Sequence, residues 1–237
     1  NDASGTGIGT IDSAGSVNQD AGFSICSFTG TGSNGTVKHG LNSAPSTIIY
    51  KRSNSSGGWV VWHKSIGTNI LELNSTGAQQ SGSSYINGTV PTSSVFSIGT
   101  SGDINASGGT YIAYCFAEKQ SYSKFGSYTG NNNADGAFIY TGFSPAFIII
   151  KKTSGSGGWQ LRDNKRTAYG NETKNLLYAN ATSTEQTTDG FDFLSNGFKW
   201  RNQASDCNGN GSYIFMAFAE NPFVTSTGNG SIPTTAR

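Results

Sequence analysis

Four side chains at matching positions in the two halves of the chain combine aromatic, basic and acidic groups. Trp62 and His63 are adjacent in the first half, and Arg162 and Asp163 follow at an offset of 100 (162 − 62). Because the Trp position is Arg in the other half, the position tolerates charge, and we expect Trp62 to be at least partly exposed. An exposed indole beside a basic side chain can stack on a sugar ring. These four residues form the candidate ligand-binding set.

No arrangement of residues typical of catalysis is visible. The two histidines, His39 and His63, have no His counterpart in the second half, and no nucleophile elbow lies between a strand and a helix. Of the 14 acidic residues only Glu118 and Glu220 recur. We interpret them as solvated charges at strand ends rather than as a glycosidase pair. The sequence therefore predicts no catalytic residues and a protein that is not an enzyme.

Metal and cysteine chemistry are equally sparse. The run Asp189-Gly-Phe-Asp192 offers two carboxylates, whereas calcium needs six or more oxygen ligands, so we predict a turn, no metal site and no cofactor. Cys26, Cys115 and Cys207 are odd in number and occupy non-equivalent positions. We expect free buried thiols. A Cys26–Cys115 bridge is the alternative if the first and last strands of one copy are neighbours.

The composition excludes several classes of protein. Charged residues make up 12% and aromatic residues 12%, with a formal net charge of +1. Disorder needs higher charge and fewer aromatics, and nucleic-acid binding needs a basic face, so we expect neither. No run reaches 18 apolar residues, so we expect no membrane insertion. Since the first residue is Asn1, we expect a processed chain or part of a longer one.

A dense apolar run occurs twice and organises the sequence. Thr110–Glu118 and Ser212–Glu220 agree at five positions: Tyr111/Tyr213, Ile112/Ile214, Phe116/Phe218, Ala117/Ala219 and Glu118/Glu220. Each run follows a Gly-containing turn, and its length and composition predict a buried strand. We expect this closing strand to pair with the opening strand of its own copy, which in the first copy is the alternating run Phe23–Phe28.

The repeat predicts an all-β fold of two tandem, related β-sandwich units of jelly-roll-like type. The boundaries that follow are a linker or arm at 1–15, a first unit at 16–119, a second unit at 120–220 and an extended C-terminal tail at 221–237. The tail matches nothing else in the chain. We expect separate lobes, and one larger sandwich is the alternative.

The recurring tryptophans favour a structural role. Trp59 and Trp159 follow equivalent Gly-Gly pairs, so we predict core anchors rather than ligand platforms, and we place Trp200 in the core as well. Partner contacts are expected on the loops that differ between copies: 75–94, 181–190 and 201–211. The hairpin tips at 53–58 and 153–158 are nearly identical and are expected to be architectural.

Several motifs of core and turn residues lie between residues 17 and 223. They are His39-Gly-Leu41, Trp62-His-Lys64, Asn105-Ala-Ser-Gly-Gly-Thr-Tyr111, Tyr128-Thr-Gly130, Gly142-Phe-Ser-Pro-Ala-Phe147, Leu194-Ser-Asn-Gly-Phe-Lys199 and Tyr213-Ile-Phe-Met-Ala-Phe-Ala-Glu-Asn-Pro-Phe223. With them the chain resembles a tandem β domain of uncharacterised biochemistry that is found in structural, tail-fibre-like proteins of marine bacteriophages. This resemblance concerns fold and context and brings no catalytic site.

The resemblance implies a virion component at the virion surface, exposed to the extracellular medium. The function it favours is a tail-fibre or appendage module that attaches to the host surface, with glycan as the expected ligand. The alternative is a module for capsid decoration or filament building without a ligand, and a polysaccharide-degrading enzyme is a distant third. The expected partners are further copies of the chain or other virion proteins, besides the host glycan.

Overall fold

The computed structural model describes residues 3–166 and 171–221, and in these ranges the protein is all-β as predicted. The described helices are single turns: α1 (Ala3–Thr6), α2 (Gly102–Asn105) and a 3-10 turn at Lys64–Ile66. Every pairing between the strands is antiparallel, which suits the short Gly- and Asn-rich connections of the sequence.

The chain forms two compact units, and residues 74–78 group with the second one. The strands of the first unit are β1 (Ser13–Asn18), β2 (Phe23–Thr29), β3 (Gly35–Lys38), β4 (Thr47–Arg52), β5 (Trp59–His63), β6 (Asn69–Glu72), β7 (Gln80–Ser81), β8 (Val95–Ile98) and β9 (Thr110–Phe116). They form a seven-stranded sheet in the order β1-β2-β9-β4-β5-β6-β7 and a two-stranded sheet of β3 and β8.

The second unit is built on one eight-stranded sheet. Its strands are β10 (Ser123–Gly130), β11 (Phe138–Tyr140), β12 (Pro145–Lys152), β13 (Gln160–Asp163), β14 (Thr173–Tyr178), β15 (Gln186–Leu194), β16 (Gly197–Trp200) and β17 (Gly211–Ala219). Their order is β10-β17-β12-β13-β14-β15-β16-β11. A register irregularity in β14, between Thr173 and Asn175, interrupts its pairing with β15.

Each unit has its own hydrophobic core between facing strands. In the first unit, Phe96 on β8 contacts Phe28 and Tyr50 of the large sheet, with ring centroids 6.0 and 5.4 Å away. In the second unit, Phe198 on β16 contacts Phe215 on β17 at 5.4 Å, so the eight-stranded sheet folds back on itself. The inward positions of alternating strands supply these side chains.

Strand pairing repeats between the units residue by residue. The closing strand β9 pairs with β2 and β4, and β17 pairs with β10 and β12, as expected for the two dense apolar runs. The registers agree: Phe28↔Tyr111 corresponds to Tyr128↔Tyr213. The pairing of β3 with β8 corresponds to that of β11 with β16 in the same way. The internal repeat therefore lies in the sheet frame.

Two features differ from the predicted unit boundaries. Strand β1 begins at Ser13, and Ile11 is already buried in the first core, so the predicted arm at 1–15 includes structured residues. Residues 74–78, predicted within the first unit, group with the second. Both segments lack the alternating pattern of a strand with one buried face. The predicted tail lies, beyond Asn221, outside the described residues.

All three cysteines and two of the four tryptophans are buried as predicted, whereas Trp59, predicted as a core anchor, is not fully buried. All three cysteines are free and buried, although β2 and β9 are neighbours as the alternative bridge required. Trp159 and Trp200 are fully buried in the second unit. Trp59 is half-buried, with the Lys51 ammonium 5.4 Å from its ring centroid.

Replacing Trp159 tests its role as a core anchor. Because Trp159 is fully buried, Trp159→Ala should lower the free energy of unfolding by about 3–5 kcal/mol. Urea denaturation followed by fluorescence measures this loss. Trp59→Ala is the matched control and should cost clearly less, because Trp59 is half-buried. Equal, small losses in both variants would contradict the assignment.

Candidate functional site

Trp62 and His63 lie on β5 in the interior of the molecule. The Trp62 side chain is 3% exposed, and its Nε1 donates a hydrogen bond to the carbonyl of Gly67 at 2.7 Å. His63 is fully buried, and its Nδ1 accepts from the backbone N–H of Ser65 at 3.1 Å, which caps the 3-10 turn. The expectation of a partly exposed Trp62 is wrong, because the indole fills the core and a turn carbonyl satisfies its N–H.

Arg162, which replaces that tryptophan in the second unit, is also fully buried. Its guanidinium lies 5.5 Å from the ring centroid of Phe191 and 5.4 Å from that of Trp200. Its Nη2 donates to Oε1 of Gln160 at 3.1 Å. Cation–π contacts and an amide oxygen therefore let the core accept a charge. The Trp-to-Arg difference reflects this local packing and not exposure.

Asp163 closes the turn that follows β13. Its Oδ1 accepts from the backbone N–H groups of Lys165 and Arg166, both at 2.9 Å, and its Oδ2 accepts from the Arg166 guanidinium. Three of the four predicted ligand-binding residues are thus buried, and the fourth stabilises a turn. Trp62, His63, Arg162 and Asp163 do not form an exposed binding surface.

The two hairpin tips predicted to be architectural are each held by a lysine. Lys51 Nζ donates to the carbonyl of Gly57 at 2.7 Å, and Lys151 Nζ donates to that of Gly157 at 2.8 Å. Lys151 is fully buried and also donates to the carbonyl of Thr76 at 3.0 Å, which ties residues 74–78 into the second unit. Burial lowers the pKa of Lys151 to about 8.

An aspartate at matching positions, Asp103 and Asp206, completes each tip, so the expectation that only Glu118 and Glu220 recur among the acidic residues is wrong. Asp103 Oδ1 accepts from the backbone N–H of Gly58 at 3.1 Å, and Asp206 Oδ2 accepts from that of Gly158 at 3.3 Å. The recurring acids at the strand ends are paired as well: Lys64–Glu118 at 2.6 Å and Lys165–Glu220 at 3.0 Å. The charged residues that repeat between the units therefore stabilise turns and strand ends.

A buried asparagine organises the loop before each closing strand. The Asn105 side-chain oxygen accepts from the backbone N–H of Thr31 at 2.8 Å, and that of Asn208 accepts from Asn131 at 3.3 Å. Asn208 Nδ2 also donates to the carbonyl of Asn133 at 2.9 Å. Fully buried amides with several partners act as rigid connectors between loops.

The loops expected to contact partners are less free than predicted. In 201–211, Asn208 is a buried connector. In 75–94, Ile86 is buried in the first core. In 181–190, strand β15 begins at Gln186, because its Thr-rich start favours extended backbone. The assignment of partner contacts to these loops stays a prediction.

An exposed pair of aromatic side chains lies instead on strand β11. Phe138 is 48% exposed and Tyr140 is 64% exposed, whereas Ile139 between them is buried in the core. Alternation along a strand places the two rings on the same outer face, about 6.6 Å apart along the backbone. Phe138 and Tyr140, which we call the aromatic pair, are the largest exposed apolar side chains among the described residues of the second unit.

A network of charges borders the aromatic pair on the same sheet. Register places Phe138 opposite Lys199 on β16, and Lys199 opposite Asp192 on β15. Lys199 Nζ lies 2.7 Å from Asp135 Oδ1, and its hydrogen bond lowers the pKa of that carboxyl group. Arg201 Nε binds Asp192 Oδ2 at 2.5 Å. Aromatic faces beside donors and acceptors can bind a molecule that has both apolar and hydroxyl-bearing surfaces.

The aromatic pair is specific to the second unit. The equivalent positions on β3 are Thr36 and Lys38, from the common register of Val37 with Phe96 and Ile139 with Phe198. Sequence reasoning missed the pair because three consecutive apolar residues are typical of a buried strand. An alignment of β11 with β3 could have found the pair, because the outward positions that are polar in β3, Thr36 and Lys38, are aromatic in β11.

Metal and membrane chemistry find no support in the part of the chain that the structure describes. Within 3–166 and 171–221, no group of three or more His, Cys, Asp or Glu side chains is placed to hold a metal ion. No helix of these residues has the length and apolar character needed to cross a bilayer.

The fold and the site together define an all-β protein with two related units and an aromatic surface on the second. The chain belongs to the family described as a domain of unknown function, DUF7483, whose model matches residues 1–222. No curated protein and no solved structure is significantly similar to it.

Lys151 should make the stability of the second unit depend on pH. Its pKa is about 8 in the folded protein against an ordinary 10.5, so the unfolded state binds more protons between these values. Lys151 therefore contributes stability that is present above pH 10.5 and is lost as the pH falls through 8. Relative to Lys151→Met, the wild type should become more stable from about pH 7.5 to about 9.5 in urea denaturation. A difference that does not change with pH would contradict this.

Proposed function

We propose that the chain is a module of a virion surface protein, a tail fibre or appendage, that binds host-surface glycan through the aromatic pair. The observation that carries the proposal is the exposure of Phe138 and Tyr140 on one strand face. A contiguous exposed apolar surface often marks a binding site. The resemblance to tail-fibre-like phage proteins supports the setting, an extracellular virion surface.

The chemistry of the surface favours a carbohydrate over a peptide. A sugar ring has an apolar face of C–H groups, which packs on an aromatic ring, and hydroxyl groups at its rim. The hydroxyl groups can bond to the carboxylate of Asp135 and the ammonium of Lys199, which retain further acceptor and donor capacity in their ion pair. Both signs of charge occur there, so the surface suits a neutral or mixed-charge glycan.

The repeated polar residues support a binding module rather than an enzyme. Lys51, Lys151, Glu118 and Glu220 each have a partner within the fold. A glycosidase needs two carboxyl groups facing one another across a cleft. The repeated glutamates instead bind lysines of their own units, and the repeated Asp103 and Asp206 accept from backbone N–H groups. We therefore propose no catalytic residue.

A second function fits one specific observation. Strand β11 is the last strand of its sheet, so the aromatic pair lies where another copy of the chain or a second virion protein can pack. In that case the module decorates a capsid or builds a filament without a ligand. In the first function a glycan covers the two aromatic rings, and in the second function another protein chain covers them.

Removing the aromatic pair tests both functions. Phe138→Ala with Tyr140→Ala should weaken binding on a glycan array, or to host cell-surface polysaccharide, by roughly ten- to hundredfold, because each ring contributes about 0.5–1.5 kcal/mol. Leu177→Ala is the matched control, since Leu177 is an exposed apolar residue elsewhere in the second unit. Loss of self-association in the double variant, with no glycan bound by the wild type, would favour the second function.

A further inference from the structure

In the first unit, the outer edge of β3 is covered by a short N-terminal segment, residues 9–13. The N–H groups of Thr10 and Ile11 donate to the carbonyl of Thr36 at 2.9 and 3.1 Å. Thr36 N–H donates to Thr10 Oγ1 at 2.8 Å, and Ser13 Oγ donates to the carbonyl of Lys38 at 3.0 Å. Ile11 inserts into the core. Residues 9–13 thus bond to the outward N–H and C=O groups of Thr36 and to the C=O group of Lys38.

The equivalent edge in the second unit belongs to β11. There the backbone groups of Ala137 and Thr141 point to the β16 side, where they bond to Trp200 and Asn196. Because successive residues of a strand alternate, the N–H and C=O groups of Phe138 and Tyr140 point away from β16. Among the described residues, no strand pairs with this side of β11. Edges of this kind are usually covered.

The sequence of residues 9–13 recurs near the C-terminal end of the chain. The pattern Thr-Gly-x-Gly-Thr-Ile-x-Ser begins at Thr6, and Thr-Gly-x-Gly-Ser-Ile-x-Thr begins at Thr227. The expectation that the tail matches nothing else in the chain is wrong, because the tail shares this pattern with the N-terminal arm. The positions that match are those at which residues 9–13 contact β3.

Each residue that contacts β3 has a counterpart of the same chemistry at 230–234. Gly9 has φ +84°, and a Cβ there would lie 3.0 Å from the Thr36 carbonyl, so this position needs the glycine found at 230. The hydroxyl of Thr10 becomes that of Ser231, Ile11 becomes Ile232, and the hydroxyl of Ser13 becomes that of Thr234. In place of Asp12, Pro233 favours extended backbone at the preceding isoleucine.

The segment between Asn221 and Gly230 is long enough for residues 230–234 to reach β11. The side chain of Ile232 must differ in conformation from that of Ile11. Nine residue steps separate Asn221 from Gly230 (230 − 221) and span up to about 30 Å. The Glu220 N–H donates to the carbonyl of Ser144 at 2.9 Å, and Ser144 is six residue steps from Phe138 (144 − 138), at most about 20 Å. Gly35 leaves room for Ile11 in the first unit, where a Cβ would lie 2.6 Å from Ile11 Cδ1. Ala137 occupies that position in the second unit, so Ile232 needs another rotamer than Ile11.

We propose that residues 230–234 bind the outer edge of β11 within the same chain, as residues 9–13 bind β3. The occupant is identified by the shared pattern of glycine, hydroxyl, isoleucine and hydroxyl. The site is identified by the outward backbone groups of Phe138 and Tyr140. This inference is independent of the glycan-binding proposal.

Amide hydrogen exchange on the full-length chain tests it. In the wild type the amide of Phe138, the counterpart of Thr36, should be protected, and Ile232→Asp or Gly230→Val should raise its exchange at least about tenfold. Val224→Asp is the matched control, because it introduces the same charge into the same segment outside the pattern and should leave exchange unchanged. Ile11→Asp should have the corresponding effect on the amide of Thr36.

Equal exchange of the Phe138 amide in the wild type and in Ile232→Asp would overturn the proposal. The measurement is repeated over about a tenfold range of protein concentration. Protection that does not change supports binding within one chain. Protection that grows with concentration, together with a dimer mass by light scattering, would show that the segment comes from a second copy and would contradict the intramolecular form.

Discussion

A tyrosine near the start of each closing strand joins the sheet, the core and the preceding loop in one set of contacts. Tyr111 on β9 stacks on Phe28 of β2 at 5.5 Å, and Tyr213 on β17 stacks on Tyr128 of β10 at 5.0 Å. The hydroxyl of Tyr111 donates to the carbonyl of Gly102 at 2.8 Å, and that of Tyr213 donates to Ser205 at 2.8 Å.

Much of the frame follows from this one constraint. A buried phenol must find a hydrogen-bond partner, so the loop before the closing strand has to curl back over the ring. The buried asparagines Asn105 and Asn208 belong to these same loops and fix the turn after each opening strand. Stacking, hydroxyl contacts and amide contacts thus connect the first and last strands of each unit, which explains why these positions agree between copies.

The sheet frame could be predicted from the sequence, whereas the exposed surface could not. A repeat of apolar positions reports which residues face a core, and the predicted pairing of opening and closing strands is confirmed by the registers of β2 with β9 and of β10 with β17. The exposure of Trp62 was predicted wrongly, since Arg162 at the matching position suggested solvent. A cation between the rings of Phe191 and Trp200 is a feature of tertiary packing that pairwise alignment does not reveal.

The side chains of the aromatic pair and the outward backbone groups of β11 belong to one strand but point in different directions. Side chains of a strand project from the two faces of the sheet, whereas its N–H and C=O groups lie in the sheet plane. A segment paired with the edge therefore leaves the rings of Phe138 and Tyr140 accessible. A three-residue strand held on one side only is a weak support for a binding surface, because ligand binding must then also order its backbone. Edge pairing by residues 230–234 would supply that order beforehand and so reduce the entropic cost of binding a ligand on the face.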